Sequence, residues 1–257
     1  MAVVLAIANQ KGGVAKTTTA VNLAHALVSR GKRVLAIDVD PQASLTIYFG
    51  QDPRQLEERQ QTLYYALLRD KALLSIVIDG NPALVPSSIT LSQADAELMA
   101  AWGSASVLRE KLNGVVEAYD YVLLDCPPTL TLLTANAIGA AHAVLVPVKT
   151  DFLSIMGIPL LLESIEKLRL RQNKGLRVLG ILPTMFNARL VHDNEALAEL
   201  KHIADPRRIR LFEPINRSTR HDRAAAEGKP AVELAPNAPG VENYYKLADE
   251  ILAYDQR

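Results

Sequence analysis

The chain is short of the residues that staple or anchor proteins. It has one cysteine, Cys126, among 257 residues. A lone thiol closes no internal disulfide and builds no thiolate zinc site, so a cytoplasmic setting is expected. Net charge is also missing, because 28 Lys+Arg balance 28 Asp+Glu. That excludes a polybasic protein as a whole and leaves room for a local basic face. No run reaches the ~18 apolar residues of a spanning helix. The longest, Ala135 to Val148, is interrupted by Asn136, His142 and Pro147. The first residues lack a charged n-region and a cleavage site, so no signal peptide is expected. Repeats, low-complexity stretches and linkers are absent too. What remains is ordinary globular composition, 49% hydrophobic and 22% charged, which excludes a mainly disordered chain. One domain spanning 1–257 is expected.

Strand and helix signals alternate. Val3–Ala8, Val34–Asp38, Tyr121–Asp125, Ala143–Val148 and Arg177–Leu182 are short apolar, β-branched runs that read as buried parallel strands. Ile76–Ile78, Ala83–Val85 and Arg208–Phe212 are weaker strand candidates. Helical spacing covers Thr17–Arg30 (with Gly31 as the stop), Leu56–Arg69, Ala94–Ala101, Val107–Ala118, Ile158–Leu170, Val191–Ile203 and Val241–Tyr254. The pattern predicts an α/β fold, a doubly wound, mostly parallel sheet with helices on both faces.

Between the first strand and the first helix lies Ala8-Asn9-Gln10-Lys11-Gly12-Gly13-Val14-Ala15-Lys16-Thr17-Thr18. Backbone N–H groups of such a loop close around phosphate oxygens, and the helix N-terminus adds partial positive charge. Lys16 is placed to reach the β- and γ-phosphates and Thr17 to ligate Mg²⁺. The usual G-x-x-x-x-G-K-[ST] pattern fails at Gln10 and Ala15, and a second lysine, Lys11, is present. Val122-Leu123-Leu124-Asp125-Cys126-Pro127-Pro128 is an apolar strand ending in a carboxylate suited to hold Mg²⁺ through water. Asp38 and Asp40 end the second strand at the edge where open α/β sheets bind ligands.

Lys-Gly-Gly-Val-Ala-Lys-Thr-Thr, with Asp38-Val39-Asp40-Pro41-Gln42 and the Asp125 strand, resembles the deviant Walker A P-loop ATPases of the ParA/MinD family, in particular the ParA/Soj partition type. The likeness extends over nearly the whole chain, with Ala15 standing where the family usually has glycine. It implies a deviant Walker A P-loop fold that binds ATP through Lys11, Gly12, Gly13, Val14, Ala15, Lys16, Thr17 and Thr18, with Mg²⁺ near Thr17, Asp40 and Asp125. It implies that Asp40 is the catalytic carboxylate and Asp38 a second acidic group near the metal, with a helix cap the alternative for Asp38. Lys11 would cross to a partner's phosphates in an ATP-dependent homodimer and, with Lys16, serve catalysis. Asn187 and Asn216 would lie near the adenine. Lys149-Thr150-Asp151 matches part of a guanine-selecting motif but lacks its leading residue, so ATP is preferred over GTP.

Positive charge is uneven. Lys167, Arg169, Arg171, Lys174 and Arg177 form one cluster; Arg207, Arg208, Arg210, Arg217, Arg220 and Arg223 form another. Arg217, Arg220 and Arg223 fall three apart, as on one side of a helix or its approach. No helix-turn-helix, zinc or RRM signature accompanies them. The expected binding is to phosphates of double-stranded DNA, nonspecific in sequence and salt-sensitive, with Kd on the order of 10⁻⁴–10⁻⁶ M per site. The family resemblance places DNA binding in this region and implies a ParB-like adaptor that stimulates slow hydrolysis, in a cytoplasmic, nucleoid-associated protein. The cargo would be a plasmid, a chromosome or a large assembly. Two alternatives stay open: a MinD-like membrane-cycling ATPase, for which residues 244–257 lack a basic stripe, and a small-molecule ATP-dependent enzyme of the same superfamily.

Overall fold

A computed structural model describes residues 2–100 and 106–255. Six strands form one parallel sheet: β1 (Val3–Ile7), β2 (Val34–Asp38), β3 (Ala83–Val85), β4 (Tyr121–Asp125), β5 (Ala143–Lys149) and β6 (Arg177–Thr184), in the order β3-β2-β4-β1-β5-β6. The central strands are buried along almost their whole length, which is why they read as unbroken apolar runs. Alternation still sorts their faces. Val4, Ala6, Val122, Leu124, Val144 and Val146 join a core with the helices Leu63–Leu68, Leu132–Ala140, Ile158–Arg171 and Val191–Ala204. Leu5, Leu123 and Leu145 pack on the other face with Leu23 and Leu27 of α1 (Lys16–Val28) and with Tyr244, Leu247 and Ile251 of the helix Glu242–Asp255.

The winding puts the chemistry at one edge. β4 lies between β1 and β2, so Asp125 stands in register with Ile7 on one side and Asp38 on the other. The loop after β1, the acidic end of β2 and the acidic end of β4 therefore meet at the carboxyl edge of the sheet.

Several expected elements are altered. The helix expected over 56–69 is two, Pro53–Glu58 and Leu63–Leu68, because Gln60 turns left-handed (φ 54) between them. The helix expected over 107–118 stops at Leu112 and resumes as a single 3₁₀ turn, Val116–Ala118. Ala101, at the end of the expected 94–101 helix, lies outside the described residues; the helix is Ala94–Ala100. Ile76 sits in a 3₁₀ turn, and Ile78 forms only an isolated bridge to Leu84. Arg208–Phe212 is no strand: Arg208 is left-handed (φ 54), and only Leu211 bridges β6, at Ile181. Five short helices gave no periodic signal: Ser44–Tyr48, Leu132–Ala140, Phe152–Met156, Arg220–Glu227 and Ala231–Leu234. Elements this short owe their helicity to tertiary packing rather than to a visible repeat.

Candidate functional site

The loop after β1 delivers the chain to an open helix end. Asn9 is buried and donates from Nδ2 to the Pro147 carbonyl at 2.7 Å, while its Oδ1 accepts from the Lys11 amide at 3.0 Å. These bonds pin the loop to β5. Gly13 (φ 70) and Ala15 (φ 64) are both left-handed. Glycine adopts that conformation freely, whereas for alanine it costs roughly 1–2 kcal/mol. Ala15 thus occupies a backbone pose that glycine suits. Ala15 is the N-cap of α1 but supplies no side-chain cap, and the first turn holds no acidic residue. The first N–H groups of α1 are left to an anion.

Lys16 is 8% exposed and donates from Nζ to the Lys11 carbonyl at 3.1 Å. Burial pushes its ammonium below the usual lysine range, against the pull of Asp125, Cys126 and Asp40. Asp125 faces it. Both its carboxylate oxygens are buried and accept no hydrogen bond of normal geometry; the Thr17 hydroxyl interacts with the carboxylate without closing one. Burial, then repulsion from Asp38, raises Asp125 well above the carboxylate range. A buried carboxylate without donors is costly unless a cation completes it. Thr17, Asp125 and the phosphate cradle fit Mg²⁺, which keeps several waters and takes few protein ligands. Among the described residues, no group of three or more His, Cys, Asp or Glu side chains could hold a metal ion by itself.

Asp38 is fully buried, and its role differs from that of Asp40. Its Oδ2 accepts from the Thr46 amide at 2.8 Å and the Thr46 hydroxyl at 2.7 Å, and its Oδ1 from the Asp40 amide at 3.2 Å. Burial still raises it to about 7. Asp38 thus fastens the first turn of Ser44–Tyr48. Asp40 is 9% exposed at the lip of the site, and its Oδ1 accepts from the Gln42 amide at 2.9 Å.

A cavity of about 200 Å³ adjoins the loop, lined by Ala15 and Thr18 on one side and by Met185, Asn216 and His221 on another. Asn216 lines this cavity. Asn187 is not brought to this cavity: its amide donates to Asp193 at 2.7 Å, and its Oδ1 accepts from the Arg189 amide at 3.1 Å. Met185 (φ 55) and Tyr48 line the cavity instead, and no sequence signal marked either one. The larger cavity, about 790 Å³, lies beyond β6 between Leu160 and Ile209. It is remote from the loop, and its Arg169 is already paired with Glu166 at 2.7 Å.

Lys11 Nζ contacts Asp151 Oδ1 at 3.1 Å. Asp151 also meets Lys149 at 3.3 Å and caps Phe152–Met156 by accepting from the Ser154 amide at 2.8 Å. Burial opposes its ionisation, but these donors win and hold it at about 2. Asp151 thus serves as a lysine partner and a helix cap in this structure. Of the basic residues, Arg220 and Arg223 lie on Arg220–Glu227, whereas Arg217 precedes that helix and lines the 200 Å³ cavity. All three are exposed, and Arg223 is paired with Glu227 at 2.7 Å.

Known proteins share this arrangement. The AAA domain family model matches residues 2–178. The chain is 39% identical to the chromosome-partitioning ATPase Soj of Thermus thermophilus, over 97% of this chain and 95% of that protein. It is 35% identical to the chromosome partitioning protein ParA of Caulobacter vibrioides, over 98% and 95%. Among solved structures it resembles cobyrinic acid a,c-diamide synthase from Mycobacterium smegmatis with bound ADP and magnesium, at a TM-score of 0.86 and 33% identity over 100% of this chain and 96% of that one. With its lysine-bearing loop, uncapped helix end and paired strand-end carboxylates, the chain belongs to the ParA/Soj family of P-loop ATPases.

Proposed function

We propose that residues 1–257 act as one ATPase domain that binds DNA as an ATP-dependent homodimer and partitions DNA or a large cargo. The observation that carries the ATP site is the buried Asp125 carboxylate, which closes no hydrogen bond of normal geometry, beside Thr17 and the uncapped start of α1. The N–H groups of Gly12 to Thr18 cradle the phosphates, and Lys16 holds charge on the transferring phosphoryl group. Thr17, with Asp125 and Asp40 through water, would hold Mg²⁺, which would supply charge neutralisation at the phosphates. Asp40 accepts a hydrogen bond from the attacking water and aligns it.

Lys11 leaves Asp151 to serve the partner subunit's phosphates. Beside that lysine, Phe152 and Leu153 are each 73% exposed and Met156 is 61% exposed. An apolar patch of this kind marks a contact face, here for the second copy. Arg217, Arg220 and Arg223 hold the DNA backbone, nonspecifically. A ParB-like adaptor stimulates hydrolysis, and the protein works in the cytoplasm on the nucleoid. No described helix is long and apolar enough to cross a membrane.

The test is binding of random-sequence duplex DNA with ATP–Mg²⁺ and with ADP–Mg²⁺ across a salt series. Binding confined to ATP, falling steeply with salt, is expected. ATP turnover without DNA binding in either state would favour the second reading, a small-molecule synthase, which the 0.86 likeness to the diamide synthase supports.

A further inference from the structure

The arginine helix Arg220–Glu227 touches the body through elements that face the nucleotide edge. Ala224 is its buried anchor. The helix closes with Gly228 left-handed (φ 62) and the Lys229 amide donating to the Ala224 carbonyl at 3.1 Å. At Gly228 the backbone comes up beside the turn that ends Ser44–Tyr48. A Cβ on Gly228 would stand 3.8 Å from Gly50 Cα and 3.9 Å from the Ile47 carbonyl oxygen. Next to this contact, the Phe49 and His25 rings pack at 5.7 Å between centroids. His25 Nδ1 shares a 2.8 Å hydrogen bond with Glu233 of the following helix, Ala231–Leu234. Phe49, His25, Gly228 and Glu233 line one cavity of about 290 Å³. At the other end of the arginine helix, His221 packs edge-on against Tyr244 at 5.6 Å and lines the cavity beside Ala15 and Thr18. Tyr48 lines both cavities.

The middle of Ser44–Tyr48 is tied to the chemistry. Thr46 gives Asp38 both its amide and its hydroxyl, and the same hydroxyl oxygen accepts from the Ser87 amide at 2.9 Å. A five-residue helix is a rigid body about 7.5 Å long. Its middle residue, Thr46, is fixed to Asp38 at the end of β2, the strand leading to Asp40. The residues that follow, Ile47, Phe49 and Gly50, lie beside the segment that carries the arginines.

We propose that Ser44–Gly50 is a lever: the nucleotide state at the end of β2 sets the pose of the arginine helix through the Gly50–Gly228 contact and the Phe49–His25–Glu233 clasp. This rests on the ATP site and arginine roles given under Proposed function. The physical content is one short element that both sites bias, rather than a diffuse path. The clasp residues lie outside the phosphate loop and the metal set, so they can be altered without removing a group that binds nucleotide.

The experiment is hydrogen exchange on the full chain with no nucleotide, with ADP–Mg²⁺ and with ATPγS–Mg²⁺, in the unaltered protein, Phe49→Ala and Glu233→Gln. The Glu233 side chain is 58% exposed, so Glu233→Gln keeps the fold if Phe49→Ala does not. Expected in the unaltered protein is a several-fold difference between the two nucleotides in exchange over 220–229, alongside protection of 8–20. In the variants 8–20 stays protected and the difference over 220–229 shrinks at least twofold. An undiminished response over 220–229 in both variants overturns the lever. So does a protected 8–20 with 220–229 indifferent to nucleotide in the unaltered protein. No protection of 8–20 by either nucleotide defeats the ATP reading itself. A working lever in a protein that binds no duplex DNA would leave the coupling standing and remove only the DNA role.

Discussion

Two charged regions of this molecule obey opposite rules. At the carboxyl edge of β1, β2 and β4, the charged groups are buried: Asp38 and Asp125 are 0% exposed, Lys16 8% and Asp40 9%. In the segment Arg217–Arg223 the arginines are exposed. Burying charge costs several kcal/mol per group unless a partner completes it. At the edge, the buried Asp125 carboxylate has only the Thr17 hydroxyl beside it, which suits a site that a cation would complete. Exposed arginines cost little and tolerate change. One region therefore carries a tight motif, the other only a local excess of charge.

Substitutions sharpen that contrast. Lys16→Ala should weaken ATP–Mg²⁺ binding by about 100-fold or more, and turnover with it, since charge-assisted bonds of roughly 1.5–3 kcal/mol each are lost; calorimetric titration checks this, and near-normal affinity would remove Lys16 from the cradle. Asp40→Ala should slow turnover by about 10²–10⁴-fold with nucleotide still bound, read by phosphate release and fluorescent-nucleotide binding together. Arg220→Ala should weaken DNA binding and lower the salt slope by about 1 while ATP affinity holds; an unchanged isotherm would move the DNA face elsewhere. Ala15→Gly should stabilise the fold by about 1 kcal/mol, because the left-handed strain at φ 64 is relieved at the expense of some backbone entropy; a denaturant midpoint shift measures it.

The smallest effect concerns acid. Asp151 sits at about 2, below its ordinary 3.8. Its contribution is therefore present above pH 4 and is lost as pH falls through 2. Its carboxylate is 31% exposed, so solvent screening discounts this to about 0.5 kcal/mol. Asp151→Asn should remove that acid dependence, and a stability curve between pH 2 and 5 unchanged by the substitution would refute it.

The edge was the more legible region. The loop lysines, Thr17, Asp40 and Asp125 could be singled out because the loop and strand-end motifs and the family resemblance mark them, and the pairing of β4 with β1 and β2 brings their strand ends to one edge. The role of Asp38 stayed open between cap and metal neighbour, since only the fold shows Thr46 doubling back onto it. The base side was less legible. Asn187 turns to Arg189 and Asp193, and Met185 takes the cavity wall, because a left-handed residue at 185 redirects the chain after β6. Lys149-Thr150-Asp151 has a different meaning once Lys11 is seen on Asp151. Arg217, Arg220 and Arg223 are spaced for one helix face, yet the helix begins only at Arg220.

By itself the sequence determined the alternation of buried strands and helices, the anion-binding loop and the acidic strand ends, because burial period, glycine placement and helix-end charge are local properties. Tertiary structure alone decided that Asp125 is buried beside Asp38, that Asp151 holds Lys11, and that Gly228 comes up beside Gly50. Each of those depends on which distant segments the parallel winding brings together, and no local pattern encodes that.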